Sequence, residues 1–206
     1  DHPDDADTST VRIPGRALDT YRGDSARAIE DCRSWVGSGS RVLLLARTTG
    51  ASPDAEKGPG EVEPAALVVI DQRLRPDAAE TVGYFLEQDV AVKVISGDNP
   101  ATVGAIATQA GVPGANDPVD ARDLTEDPQQ LADPVDQHSV FGRVTPGQKQ
   151  AMVGALHLRH RTVAMTGDGV NDVLALKQAD LGIAMGSGSS ATRAVAQLVL
   201  LDNKFS

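Results

Sequence analysis

From residue 66 onward, short apolar runs alternate with stretches whose apolar residues recur every three or four positions. The runs at 66–70, 90–95, 139–144, 162–166, 181–184 and 198–201 have strand length. Between them, 76–88, 100–110, 146–158, 171–178 and 189–196 read as helices. In 76–88, Ala79, Val82, Phe85 and Leu86 share a face and Pro76 opens the first turn. In 100–110, Val103, Ile106, Ala107 and Ala110 face inward and Gly111 is a stop. Residues 112–137 are turn-rich and acidic, with one short helix expected near 128–132. Such alternation predicts an α/β fold, a parallel sheet with helices on both faces.

The first 65 residues follow a different pattern. Residues 1–9 are acidic and expected to be frayed, and Val11–Pro14 has the length of a short strand. Asp24 to Trp35 carries a helical pattern through Ile29, Cys32 and Val36. Arg41 to Ala46 is an apolar strand, and the Gly-, Pro- and charge-rich stretch 49–64 reads as a surface loop. The chain therefore divides into two parts.

Composition narrows the function. Of the 206 residues 40% are apolar but only 3% aromatic, so the core must be built from Val, Leu, Ile and Ala. The net charge of -10, with no basic stripe, argues against a nucleic-acid partner. The single cysteine, Cys32, excludes an internal disulfide framework. No apolar run reaches the length needed to span a bilayer. His157 and His160 are three residues apart without a third ligand nearby, a spacing that fits a solvated face better than a metal site.

The residues that follow the strands carry the chemistry, because ligands of such sheets sit at the carboxyl ends of the strands. After 162–166 comes Gly167-Asp168-Gly169-Val170-Asn171-Asp172, where glycines admit a ligand and two carboxylates stand beside it. Hard oxygen ligands near exposed backbone N–H groups suit Mg²⁺ carrying a phosphate. After 90–95 comes Ser96-Gly97-Asp98-Asn99-Pro100, in which Asn99 caps the helix and leaves the Ser96 hydroxyl for an anion. Lys149 lies in the first turn of helix 146–158, where it opposes the helix dipole and a ligand-directed role becomes plausible. A hydroxyl, a lysine and two carboxylates at successive strand ends form a phosphoryl-transfer set. It lacks a nucleophile: no Asp-Lys-Thr-Gly-Thr is present, and Asp71 lacks the context of one.

Over roughly 36–206 the chain resembles the cytoplasmic part of a P-type cation-transporting ATPase of the haloacid-dehalogenase superfamily. The resemblance rests on GDNPAT (97–102), RVTPGQK (143–149), MTGDGVNDVLALKQADLGIAMGSG (165–188) and LVLLDNKF (198–205), in that order. It implies that 72–206 form a Rossmann-like phosphorylation domain without its nucleophile-bearing strand, and 1–71 the C-terminal part of an α+β nucleotide-binding domain. It further implies that Ser96 and Gly97 contact the phosphoryl group, that Lys149 holds phosphate, and that Asp168 and Asp172 serve Mg²⁺. Arg41, Asp98, Arg143 and Asn171 are expected, with them, to contact ATP. One departure falls at the family's Asp-Pro-x-Arg hinge, where Gln72 and Arg73 replace the Asp and Pro and Arg75 remains.

The expected whole is an ATP-driven pump of the plasma membrane with this segment on the cytoplasmic side. Its partners would be actuator and membrane domains, reaching the membrane only through helices that this segment lacks. The Ser-Gly-Asp-Asn-Pro variant is similar to the actinobacterial E-type subgroup and points to Ca²⁺. The segment by itself is expected to be inactive. The alternatives are a soluble phosphatase of the same superfamily and a nucleotide-binding module without a nucleophile.

Overall fold

A computed structural model describes residues 10–12, 35, 39–48, 62–71 and 74–205. Residues 1–9, the helix expected over 24–35 apart from Trp35, Cys32, most of the 49–64 stretch and hinge positions 72–73 lie outside the described residues. The chain forms two compact units, Asp1–Arg75 and Pro76–Ser206.

In the first unit, β1 (Thr10–Arg12), β2 (Arg41–Thr48) and β3 (Val62–Asp71) make an antiparallel sheet in the order β1-β3-β2. Arg41 opposes Ile70 and Leu44 opposes Leu67. Two expectations are corrected here. The run 66–70 does not open the parallel sheet but pairs antiparallel with β2, since two long apolar runs satisfy each other's backbone directly. Residues 62–64 are strand rather than loop; Pro64 is tolerated beside the register shift between Leu45 and Ala46.

The second unit holds α1 (Ala78–Glu87), β4 (Val94–Ile95), α2 (Pro100–Gln109), β5 (Val119–Asp120), α3 (Pro128–Gln137), β6 (Val140–Gly142) and α4 (Pro146–Leu158). It continues with β7 (Ala164–Gly167), α5 (Val173–Gln178), β8 (Leu181–Met185), α6 (Ser190–Val195) and β9 (Leu198–Leu200). The expected parallel pairing is present, divided between two three-stranded sheets of order β4-β6-β5 and β7-β8-β9.

Helix α4 joins the two sheets. Ala151, Met152 and Ala155 on one face pack with Leu131 and Val135 of α3 and Phe141 of β6. Val153, on the opposite face, packs with Ala175 and Ala179, and Met165 of β7 lies against that cluster. A helix apolar on two faces is a buried helix between layers.

Helix α3 extends past the expected 128–132 and runs through Pro134 to Gln137. An interior proline costs about 3 kcal/mol. Burying Leu131 and Val135 completely recovers about 1.5–3 kcal/mol each, so packing wins. By contrast β4 is shorter than the run 90–95, because its partner β6 spans only three residues. The segment Val119–Asp120 pairs with Phe141–Gly142 although its sequence reads as turn.

Helix α1 forms as its periodicity predicts, yet none of its residues is buried. Its face of Val82, Phe85 and Leu86 is only partly covered. The strand β7 is similarly open, with Ala164 and Thr166 exposed. Among the described residues β4 pairs only with β6 and β7 only with β8. Each strand therefore offers one unpaired edge.

Candidate functional site

Those two strands end at one cavity of about 350 Å³. The end of β4 contributes Ile95, Ser96 and Gly97, and the end of β7 contributes Thr166, Gly167 and Asp168. Lys149 and Asp172 complete its polar lining. The phosphoryl-transfer set read from the sequence is thus brought together at the carboxyl ends of parallel strands.

Asp172 closes a one-turn 3-10 helix, Val170–Asp172, and folds back beneath the end of β7. That fold needs glycine at 167, where a Cβ would stand 2.6 Å from the Asp172 Cβ. The Asp172 Oδ2 accepts from the Gly169 N–H at 3.3 Å, and its Oδ1 accepts from Lys149 Nζ at 2.6 Å. The pair is largely buried, with side-chain exposures of 13% for Lys149 and 10% for Asp172.

Lys149 is aimed by its neighbour. Thr145 and Gln148 form a capping box at the start of α4, a Thr-x-x-Gln signature legible in the sequence. The Gln148 Nε2 also donates to the carbonyls of Ala121 at 2.6 Å and Leu124 at 3.1 Å, fixing the helix start against the loop after β5. The cost of a lysine at a helix N-terminus is offset by the Asp172 carboxylate.

Ser96 is held by its backbone: its N–H donates to Phe141 O at 3.0 Å and its carbonyl accepts from Val144 N at 2.9 Å. Its Oγ accepts from the Asp98 N–H at 3.1 Å, which leaves the hydroxyl proton to donate. Asn99 caps α2 as expected, accepting from Ala101 N at 3.0 Å.

The two aspartates differ in role. Asp172 has both oxygens engaged within the protein, whereas Asp168 is exposed and its carboxylate has no hydrogen-bond partner among the described residues. An open carboxylate beside a hydroxyl donor and an ammonium suits Mg²⁺, which takes one or two carboxylates and completes its shell with water and phosphate oxygens. The residues present therefore fit the ion: Asp168 is the carboxylate free to hold it, while Asp172 is committed to Lys149. Among the described residues no group of three or more His, Cys, Asp or Glu side chains gathers elsewhere. His157 faces Asp180 at 3.0 Å rather than His160.

The remaining candidates do not line the cavity. Arg143 adopts a left-handed φ of 56° and donates to Asp120 Oδ2 at 3.2 Å, while its N–H donates to the Asp98 carbonyl at 2.8 Å. The hydrogen-bonded Arg122 guanidinium, helped by the charge of Arg143, pulls the Asp120 carboxyl down to about 2. Asn171 is exposed in the 3-10 turn. Arg41 belongs to the first unit, as the first residue of β2. Thr166 and Met185, both within the motif 165–188, also line the cavity, although the sequence assigns them no role; the signal for Thr166 is its place at a strand end, one step before the glycine turn.

This arrangement defines an α/β domain with a polar cavity at the carboxyl ends of parallel strands, and comparison with known proteins gives its family. The sequence matches the haloacid dehalogenase-like hydrolases over residues 10–180, and the chain belongs to that family. It is 57% identical over 189 residues to the calcium-transporting ATPase CtpE of Mycolicibacterium smegmatis, covering 92% of this chain and 24% of that protein. It is 40% identical over 178 residues to the probable cation-transporting ATPase exp7 of Streptococcus pneumoniae, covering 86% and 23%. The chain thus spans about a quarter of the length of these relatives. A zinc-transporting PIB-type ATPase in its E2.Pi state shares the fold, with a TM-score of 0.58 at 23% identity over 95% of this chain and 25% of that one. Among the described residues no helix is long and apolar enough to cross a membrane.

Proposed function

We propose that this chain is the catalytic core of a P-type cation pump, lacking the nucleophile. The carrying observation is the cavity where Ser96, Lys149 and Asp168 converge between two unpaired strand edges. A parallel strand inserted between β4 and β7 would satisfy both edges and place a carboxylate beside Asp168. That strand would come from elsewhere in a longer polypeptide, since the matched region makes up only 24% of the mycobacterial relative.

In the whole pump, an oxygen of an aspartate on the inserted strand bonds to the ATP γ-phosphorus and the bond from that phosphorus to the bridging oxygen breaks, releasing ADP. Lys149, oriented by Asp172, and the Ser96 hydroxyl hold the phosphoryl oxygens. Asp168 holds Mg²⁺, which when bound neutralises charge on the transferring group. Gly97 lines the cavity with Ser96 and would contact the phosphoryl group; Asp98, Arg143 and Asn171, outside its lining, and Arg41, within residues 1–71, are the further candidates for ATP contacts. The name of the calcium-transporting relatives supports Ca²⁺ as the transported ion and a membrane setting; this segment would then face the cytoplasm, with actuator and membrane domains of the same pump as its partners.

A soluble phosphatase would need its own nucleophile at this site. Among the described residues Asp168 and Asp172 are the only carboxylates lining the cavity, and Asp71 ends β3 in the first unit. The test uses γ-labelled ATP. The full-length polypeptide is expected to take up label on an acid-stable, hydroxylamine-sensitive bond, and Asp168→Asn to abolish it. Label on the 206-residue chain alone would overturn the reading.

A further inference from the structure

Asp168 sits between two glycines, and its carboxylate has no partner of its own, so nothing at the side-chain level aims it. Its backbone, however, is gripped from one side. The Ser189 N–H donates to the Asp168 carbonyl at 2.7 Å. A Cβ at Gly188 would stand 3.0 Å from both the Asp168 Cα and its carbonyl oxygen, so residue 188 lies flat against that backbone. Thr192 is fully buried; its hydroxyl donates to the Ser189 carbonyl at 2.7 Å and lies 3.4 Å from the Asp168 carbonyl.

The gripping loop is itself anchored twice. The Arg193 guanidinium donates to the carbonyls of Gly186, at 3.0 Å, and Gly188. The Asn203 Oδ1 accepts from both the N–H and the hydroxyl of Ser187 at 3.1 Å. Four consecutive small residues, Gly186–Ser189, are thus pinned by side chains from α6 and from the turn after β9. Gly188 and Ser189 of this loop lie against the backbone of Asp168, which lines the cavity.

We propose that Gly186–Ser189 is a positioning clamp for Asp168, with Arg193 and Asn203 as its anchors. The inference rests on the reading of Asp168 as the divalent-metal ligand. Without the clamp, a carboxylate between two glycines samples many directions, and ligation must then bear the entropy of fixing it. Positioning partners outside the ligand set typically change metal affinity 10–100-fold.

The experiment uses Mn²⁺ as the probe on the 206-residue chain, following paramagnetic broadening of the backbone amide signals of residues 167–169. Arg193→Met, at an exposed position, and Gly188→Ala are each expected to weaken Mn²⁺ about tenfold, while Arg193→Lys, which restores a donor, stays within about twofold of wild type. Wild-type affinity in either the Met or the Ala variant, or a Lys variant as weak as the Met one, overturns the clamp while leaving the metal reading intact. Absence of broadening in wild type, or its persistence in Asp168→Asn, overturns the metal reading and the clamp with it.

Discussion

The Lys149–Asp172 pair sets a measurable stake on the site. Replacing Lys149 with Met keeps the stem and removes the ammonium, leaving an Asp172 carboxylate only 10% exposed. Breaking a buried pair in this way costs about 3–5 kcal/mol, because the surviving charge stays desolvated. The Gly169 N–H still donates to Asp172 at 3.3 Å, which lowers the expected loss to about 2–3 kcal/mol. For a cooperative unit of this size each kcal/mol lowers Tm by about 4 °C, so the variant should melt about 10 °C below wild type. Thermal unfolding followed by far-UV circular dichroism reads this. The double variant Lys149→Met/Asp172→Asn should be no less stable than Lys149→Met alone, since neutralising the orphaned carboxylate removes the penalty. A Tm change under about 2 °C, or a double variant equal to the sum of the singles, would refute the pairing and the buried character of the site.

Other perturbations probe the surroundings. Gly142→Ala places a Cβ 2.5 Å from the Pro100 backbone and should lose about 3 kcal/mol or more in denaturant titration, whereas Gly83→Ala meets nothing within 4 Å inside α1 and should gain about 0.5–1 kcal/mol. Asp120 has a folded pKa of about 2, below its unfolded value of about 3.9; its stabilising contribution is complete above the unfolded value and lost as pH falls through the folded one. Asp120→Asn should therefore flatten the acid limb of a Tm–pH profile between about pH 4 and pH 2, and an unchanged limb would count against the Arg122–Asp120–Arg143 cluster.

Much of this was readable because it is local. The helix 146–158 begins and ends as its apolar spacing and its Pro146 start predict, and Asn99 caps α2 because an Asn-Pro step has few other uses there. Pairing was not local. Residues 66–70 look like any buried strand, and only the partner β2 decides that they run antiparallel in the other unit. Val119–Asp120 has no strand pattern, yet β6 recruits it, and α3 crosses Pro134 because Leu131 and Val135 find a core to fill.

The sequence by itself determined the family, most of the elements from 76 onward and the chemical types at the strand ends, because periodicity, caps and glycine turns act over a few residues. Tertiary structure alone decided that Asp172 serves Lys149 while Asp168 stays open, that Arg143 turns to Asp120, and that a loop twenty residues downstream grips Asp168. These are contacts between groups far apart in sequence, and their geometry exists only once α4 has joined the two sheets.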